Sequence, residues 1–242
     1  MKKNNNNKIT KGYKALNKDM TTKYRNMTYK LNKEYNLGGN IIPCENGYHF
    51  CKRLIDVCRY YNTKESRLFE VESCGEVIDL DNKSVTNNIK LVREISIGEY
   101  KEYIEKNLEE LINDENWKIR LEVASQGHGL DKLVNDERWE IRYEVAKQGY
   151  ELDKLINDKD WRVRREVARQ GYGLDKLVDD EHWEVKCEVA RQGYGLDKLV
   201  DDEHWCVRYE VAKQGYRLDK LINDEDWRVK NMARKMLNKL NK

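Results

Sequence analysis

The side chains with the widest chemical reach lie in one short stretch, Cys44-Glu-Asn-Gly-Tyr-His-Phe-Cys51. Cys44, His49 and Cys51 are donor types that bind zinc, but three donors on one segment without a fourth make a weak zinc framework. The expectation is therefore no metal, with His49 one packed or surface aromatic of a strand. Cys58 falls seven residues after Cys51, on a stretch that reads as helix, and is expected in the core. The six cysteines (44, 51, 58, 74, 187 and 206) form no CxxC pair, which predicts reduced cytosolic thiols. A second set of candidates recurs: Arg120, Arg142, Arg164, Lys186, Arg208 and Lys230 stand at 22-residue intervals. They read either as a basic ladder for phosphates or as inward cations. An inward guanidinium needs a carboxylate. The Asp six residues earlier is the expected partner, as in Asp136–Arg142 and Asp158–Arg164, and this reading is preferred. The chain shows no Gly-rich phosphate loop, no nucleophile elbow and no paired-carboxylate motif.

The elements that must hold these residues are set by six tryptophans at 117, 139, 161, 183, 205 and 227, each 22 residues from the next. A period this short predicts a solenoid of small supersecondary units. With Trp as position 1, five complete units start at Trp117, and a C-terminal cap starts at Trp227. Each unit is expected to hold one longer and one shorter helix. Asp at position 20 (Asp136, Asp158, Asp180, Asp202, Asp224) is expected to N-cap the longer helix. Gly at position 11 (Gly127, Gly149, Gly171, Gly193, Gly215) is expected to end it in a left-handed cap. Leu-Asp-Lys-Leu then forms the short helix.

On a helical wheel, positions 1, 3, 7 and 8 face inward, with the position-4 cation among them. Positions 2, 5, 6 and 9 face outward. Glu at position 6 and Lys or Arg at position 9 predict surface pairs three residues apart, so the exposed face is mixed in charge. Positions 2 and 5 vary from unit to unit, and variation on a regular scaffold is where binding specificity can be written. The candidate binding residues are Tyr143, Arg162, Arg165, Arg169, Arg191, Tyr209 and Lys213, of the anchor types that dominate interfaces. Tyr at position 12 (Tyr150, Tyr172, Tyr194, Tyr216) is expected to pack at the turn. The pattern Asp-x-x-Trp-x-Val-Arg-x-x-Val-Ala, then Leu-x-x-Leu-x-x-Asp, over residues 103–242, resembles the leucine-rich-repeat variant family and the wider HEAT-like helical repeats. That resemblance implies a superhelix with a binding or scaffolding role. The chain departs from the family in its 22-residue units and in Gly where Pro is frequent. Its cysteines do not lie against the array, so no iron–sulfur cluster is carried over.

The N-terminal part reads as α+β. Strand is expected at 12–16, loosely over 27–37, at 47–51, over 67–80 and over 84–95, with helix at 53–61 and 98–107. The partition predicted is a disordered leader, 1–8, a small α+β domain, 9–97, and an all-α solenoid of 22-residue two-helix repeats, 98–242. The run from Cys44 to Cys51, then Tyr60-Tyr61, then Phe69-Glu-Val-Glu-Ser-Cys-Gly75, resembles an uncharacterised domain at the N-termini of tailed-bacteriophage proteins. It implies a phage or prophage origin and no particular activity. Gly47-Tyr-His-Phe with Tyr60 is also similar to a strand and helix of ADP-ribosyltransferases. That likeness implies NAD, with His49 in the nicotinamide pocket, Tyr60 stacking, and Glu70 or Glu72 as the acid polarising the ribose. The first His or Arg strand motif of that family is not evident.

Bulk composition bounds these readings. Forty-six basic against 44 acidic residues leave a net charge of +2, short of the basic excess expected of a nucleic-acid-driven protein. No apolar stretch approaches a membrane span, so no membrane partner is expected. The first expectation is a cytoplasmic, non-enzymatic interaction protein in a bacterial host, without cofactor. It would bind a host protein or ribonucleoprotein complex, as an inhibitor of a defence system such as a CRISPR effector would. The alternatives are an ADP-ribosyltransferase-like modifier using NAD and a nucleic-acid-binding repeat protein.

Overall fold

Alternating apolar and polar residues build the N-terminal sheets. The computed structural model describes residues 9–23, 27–43 and 45–240; the expected leader, 1–8, and Cys44 lie outside these. The strands are β1 (Thr10–Leu16), β2 (Glu34–Asn36), β3 (Tyr48–Phe50), β4 (Arg67–Ser73), β5 (Val77–Asp79), β6 (Ser84–Thr86) and β7 (Asn88–Ile95). They form two antiparallel sheets, in the orders β1-β4-β7-β2 and β3-β6-β5. In β4, Phe69 and Val71 are buried while the intervening Glu70 and Glu72 are only partly covered. Leu16, Tyr48, Phe50, Phe69, Ile89 and Leu91 share the core. The two sheets approach at Gly12. A Cβ there would sit 2.3 Å from Phe50 and 2.6 Å from the Cys51 carbonyl. That absence lets Tyr13 and Cys51 exchange two main-chain hydrogen bonds of 2.7 Å.

The helix expected at 53–61 is a 3-10 helix, Leu54–Arg59. Helix α1 (Ile97–Lys106) starts in a capping box, with Ser96 and Glu99 satisfying each other's main-chain N–H groups. Helices α2 (Leu108–Leu111) and α3 (Trp117–Ser125) follow. Backbone contacts divide the chain into Met1–His128 and Gly129–Lys242. The long helix of the first repeat therefore clusters with the sheets, although the change in secondary structure comes near residue 97. Arg53 joins Asp114 at 2.9 Å and Glu110 at 3.1 Å, Lys64 Nζ donates to the Ser125 carbonyl at 2.9 Å, and the Thr63 hydroxyl donates to Glu122.

In the second unit a nine-residue helix alternates with a four-residue one. The long helices are α5 (Trp139–Lys147), α7 (Trp161–Arg169), α9 (Trp183–Arg191) and α11 (Trp205–Lys213). The short ones are α4 (Leu130–Leu133), α6 (Leu152–Leu155), α8 (Leu174–Leu177), α10 (Leu196–Leu199) and α12 (Leu218–Leu221), and α13 (Trp227–Leu240) ends the array. Successive long helices pack on one another. Positions 3, 7, 8, 17 and 18 carry the core, as with Val163, Val167, Ala168, Leu177 and Val178. Each long helix ends as expected at position 11: Gly149 has φ +74°, Gly149 N–H bonds the Ala146 carbonyl, and Tyr150 N–H bonds the Val145 carbonyl.

The N-terminal cap differs from the expectation. The capping residue is position 22, immediately before Trp. The carboxylate of Asp160 and the Nδ1 of His182 and His204 accept the position-2 N–H. Asp at position 20 sits one step upstream. Its carboxylate accepts the position-22 N–H, as from His182 to Asp180 Oδ1 at 2.8 Å, and both of its oxygens also face the preceding long helix.

Position 13 is left-handed throughout the array. It is Gly129, Gly173 and Gly195 in three units but Glu151, with φ +44°, in another. A non-glycine residue pays for that conformation with a Cβ clash of about 1–2 kcal/mol. Glu151→Gly is therefore expected to raise the unfolding free energy by about 0.5–1 kcal/mol in chemical denaturation. Gly173→Ala should lower it, because its Cβ would fall 2.1 Å from Ile156 Cδ1.

Candidate functional site

The position-4 cations are inward, as the wheel predicts, but their carboxylate partner is corrected. Arg142 places Nε and Nη2 on the Asp158 carboxylate at 2.6 and 2.8 Å, sixteen residues later, while Nη1 donates to the main-chain carbonyl of Asp136 at 2.7 Å. Arg164 repeats this with Asp180 and the Asp158 carbonyl, and Arg208 with Asp224 and the Asp202 carbonyl. Lys186 holds Asp202 at 2.5 Å. The physical reason is the Asx turn at position 20. It aims the Asp carboxylate back at the preceding long helix and leaves only its carbonyl for the following one. Each of these three arginines thus spans two successive Asp residues, and hydrogen bonding to Asp158 or Asp180 raises the pKa of Arg142 and Arg164 further above the ordinary range. These groups hold the array together and face no solvent phosphate.

Position 6 was expected outward and is not. Glu144, Glu166, Glu188 and Glu210 are buried. Their expected partners three residues on are correct: Arg169 binds Glu166 through two 2.8 Å bonds, Arg191 binds Glu188 at 2.9 Å, and Lys147 and Lys213 reach Glu144 and Glu210. Burial follows because the carboxylates also serve neighbouring groups. Arg191 bridges to Glu210 of the next unit at 3.0 Å, and Gln170 donates to Glu166. Gln at position 10, to which the wheel assigned nothing, stitches units: Gln192 Nε2 reaches the Arg169 carbonyl at 3.1 Å, and Gln214 reaches that of Arg191 at 2.9 Å. The signal was in the sequence, since Gln recurs in every complete unit.

The variable positions are coupled. Position 5 of one unit meets position 2 of the next. Arg165 binds Glu184 at 2.6 Å, and Cys187 and Cys206 interact across the same step. Tyr143 sits at the edge of Trp139 while Arg162 stacks on its face at 4.6 Å; Tyr209 and Arg228 do the same to Trp205. Behind this pairing runs a column of stacked rings and guanidiniums. Arg162 lies between Trp139 and Trp161, His182 stacks on Trp161 at 4.2 Å and 5°, and His204 stacks on Trp183 at 4.2 Å and 13°. Burial first, then the Glu166 charge, holds the Tyr143 phenol above its ordinary range.

Of the seven candidate binding residues, Arg169, Arg191 and Lys213 are exposed, while Tyr143, Arg162, Arg165 and Tyr209 are half-buried and engaged as described. The exposed aromatics lie elsewhere. Tyr172 and Tyr194, at position 12, are each 42% exposed, and Tyr150 and Tyr216 are half-buried. Contrary to the expectation of turn packing, Tyr172 and Tyr194 stand just beyond the helix ends, three residues after Arg169 and Arg191.

In the first unit, His49 and Tyr60 line one pocket of about 480 Å³, with Lys14, Tyr29, Tyr61 and Lys83. Glu70 and Glu72 do not line it. They project from the β4 face opposite Phe69 and Val71, where Glu70 binds Arg93 at 2.5 Å and Glu72 lies 3.6 Å from Lys11. The four residues of the ADP-ribosyl-transfer reading are thus not brought together, because strand alternation sends the carboxylates away. Burial pushes the Cys51 thiol up to about 12 and raises that of Cys58, so neither is a ready thiolate. Among the described residues, no three His, Cys, Asp or Glu side chains are grouped to hold a metal ion, and no helix is long and apolar enough to cross a membrane.

Two measurements follow. Asp180→Ala should lower array stability by about 3 kcal/mol or more, since it strands a buried guanidinium. Asp179→Ala, its neighbour in an exposed pair with Lys198, should cost under about 1 kcal/mol in the same denaturation experiment. The second concerns Lys14, whose pKa burial lowers to about 8. The unfolded chain then binds the Lys14 proton more tightly, so the penalty is complete below pH 8 and is relieved as pH rises toward the unfolded value. Lys14→Met removes it. The stability of that variant relative to the parent should therefore fall between pH 7 and 10.5, by an amount on the order of 3 kcal/mol. A difference flat with pH would show that Lys14 enters the folded core at no ionisation cost.

Comparison with known proteins gives one family match: residues 10–103 match a domain of unknown function (DUF7666). No curated protein matches the chain.

Proposed function

We propose that this chain is a non-enzymatic interaction protein whose helical array holds a host protein or ribonucleoprotein complex. The observation that carries the reading is the division of labour within each repeat. The polar residues that recur at positions 4, 6, 10 and 20 are spent on bonds within and between units. The long helices still present an exposed row of Arg or Lys at position 9, with the exposed rings of Tyr172 and Tyr194 beside it, while the short helices present the Asp and Lys of each Leu-Asp-Lys-Leu turn. Tyrosine and arginine are the residues that anchor protein interfaces.

The resemblance of residues 11–96 to domains at the head of tailed-phage proteins supports the sharper version, an inhibitor of a bacterial defence complex such as a CRISPR effector. Two features weigh against the alternatives. The position-9 cations of four units each share a Glu carboxylate, so that row is not an unpaired basic stripe for a nucleic-acid backbone. The acid that an NAD-dependent transfer needs lies across the sheet from His49 and Tyr60.

The test is a tagged pull-down from a bacterial lysate with active defence systems, read by intact mass. The expected result is a stoichiometric, unmodified partner. Arg169→Ala, Tyr172→Ala and Tyr194→Ala should each weaken its affinity at least tenfold, with little salt dependence. Tyr143→Ala, Arg165→Ala and Tyr209→Ala compare the half-buried row. A partner bearing an added ADP-ribose mass, or an affinity that collapses with salt, would overturn the reading.

A further inference from the structure

We infer that the pocket of the first unit is a binding site for a small planar aromatic anion. Its volume of about 480 Å³ suits a small molecule. Its walls are aromatic, with Tyr29, Tyr48, Phe50, Tyr60 and Tyr61 among the lining side chains. Flat ligands gain from such walls, because offset and edge-on ring contacts add to the area they bury.

The charge of the lining fixes the sign of the ligand. Two ammonium groups, Lys14 and Lys83, belong to it, and among the described residues no Asp or Glu does. Lys14 is buried, and its Nζ donates to the neutral carbonyl of His49 at 2.6 Å. It lies 5.3 Å from the Tyr29 ring centre, and Lys83 lies 5.4 Å from that of Tyr60. Neither has a carboxylate partner among the described residues. Ring faces and a carbonyl compensate a buried ammonium only partly, and the burial that lowers the Lys14 pKa is what they leave uncompensated. A bound anion would supply the missing charge.

The walls are also held in place from outside. The Tyr60 hydroxyl donates to Asn82, and the Tyr61 hydroxyl accepts the Lys23 N–H at 3.1 Å. At Gly47, φ is +114° and a Cβ would meet Val85 at 2.4 Å, so the strand bearing Tyr48 and His49 enters the pocket wall in one way. None of this depends on the array or on its partner.

The test is isothermal titration of the full chain with two planar anions, AMP and 2-naphthoate, beside their neutral counterparts adenosine and 2-naphthalenemethanol, and with octanoate as a flexible anion. The expected result is saturable one-site binding of at least one planar anion, at least tenfold tighter than its neutral counterpart and than octanoate. Preference between AMP and 2-naphthoate separates a nucleotide ligand from an aromatic carboxylate. Lys83→Met, at a half-exposed position, should weaken binding tenfold or more with the melting temperature unchanged, and Tyr60→Leu should also weaken it. Lys14→Met, which removes the buried ammonium, should weaken it as well. The inference is overturned if neither planar anion binds saturably. It is equally overturned if the neutral compounds or octanoate bind as well, or if Lys83→Met leaves affinity unchanged.

Discussion

The array depends on one arrangement, a buried cation held between two successive aspartates. Arg142, Arg164 and Arg208 each take a carboxylate from one turn and a carbonyl from the turn before, so the Asp158 turn is bound by Arg142 and Arg164, and the Asp202 turn by Lys186 and Arg208. A buried charge without a partner is costly, whereas a bidentate, fully hydrogen-bonded one is tolerated and specifies geometry. Val and Ala at positions 3, 7 and 8 supply apolar burial, but small aliphatic side chains pack in more than one register. The Asp–Arg–Asp chain admits one. It explains why position 20 holds Asp in every complete unit even though it does not cap the helix that follows. The short side chain is required both to close the turn onto position 22 and to reach back to the guanidinium.

The same logic runs outward through each unit. Glu at position 6 is buried because it neutralises position 9 from beneath, and Gln at position 10 seals the end of the preceding helix. Positions 2 and 5, the ones that vary, do so in matched steps: Arg with Glu, Cys with Cys, and Tyr with Arg about a shared Trp. Much of their variation is therefore internal complementarity between neighbours. The surface free to meet a partner is narrower than a helical wheel suggests. It includes the ends of the long helices, where position 9 presents cations and Tyr172 and Tyr194 present rings, and the Asp and Lys of the short helices.

The first unit is organised by a different constraint, the close approach of two small sheets at Gly12. That contact buries the rings of β3 against β1 and β4 and leaves a pocket with aromatic walls and two amines. Strand alternation then decides which side chains share it. Lys14 is on the inner side with Phe69, its partner in register, while Glu70 and Glu72 are on the other.

The amino-acid sequence by itself determined the period, the two helices per unit, the glycine that ends each long helix and the inward direction of the position-4 cation, because these follow from local geometry and residue spacing. The strands of the first unit were legible for the same reason. Tertiary structure alone decided the rest. Which Asp meets Arg142 depends on a turn that rotates the carboxylate by one step, a choice between residues six before and sixteen after that a wheel does not encode. That Glu166 is buried while Arg169 is exposed depends on the neighbouring helix covering one and not the other. The separation of Glu72 from His49 depends on how two sheets pack, and the pocket exists only because residues as distant as Lys14, His49 and Lys83 converge there. Spacing along a chain fixes the direction of a side chain from its own element, and only the packing of elements fixes what that side chain meets.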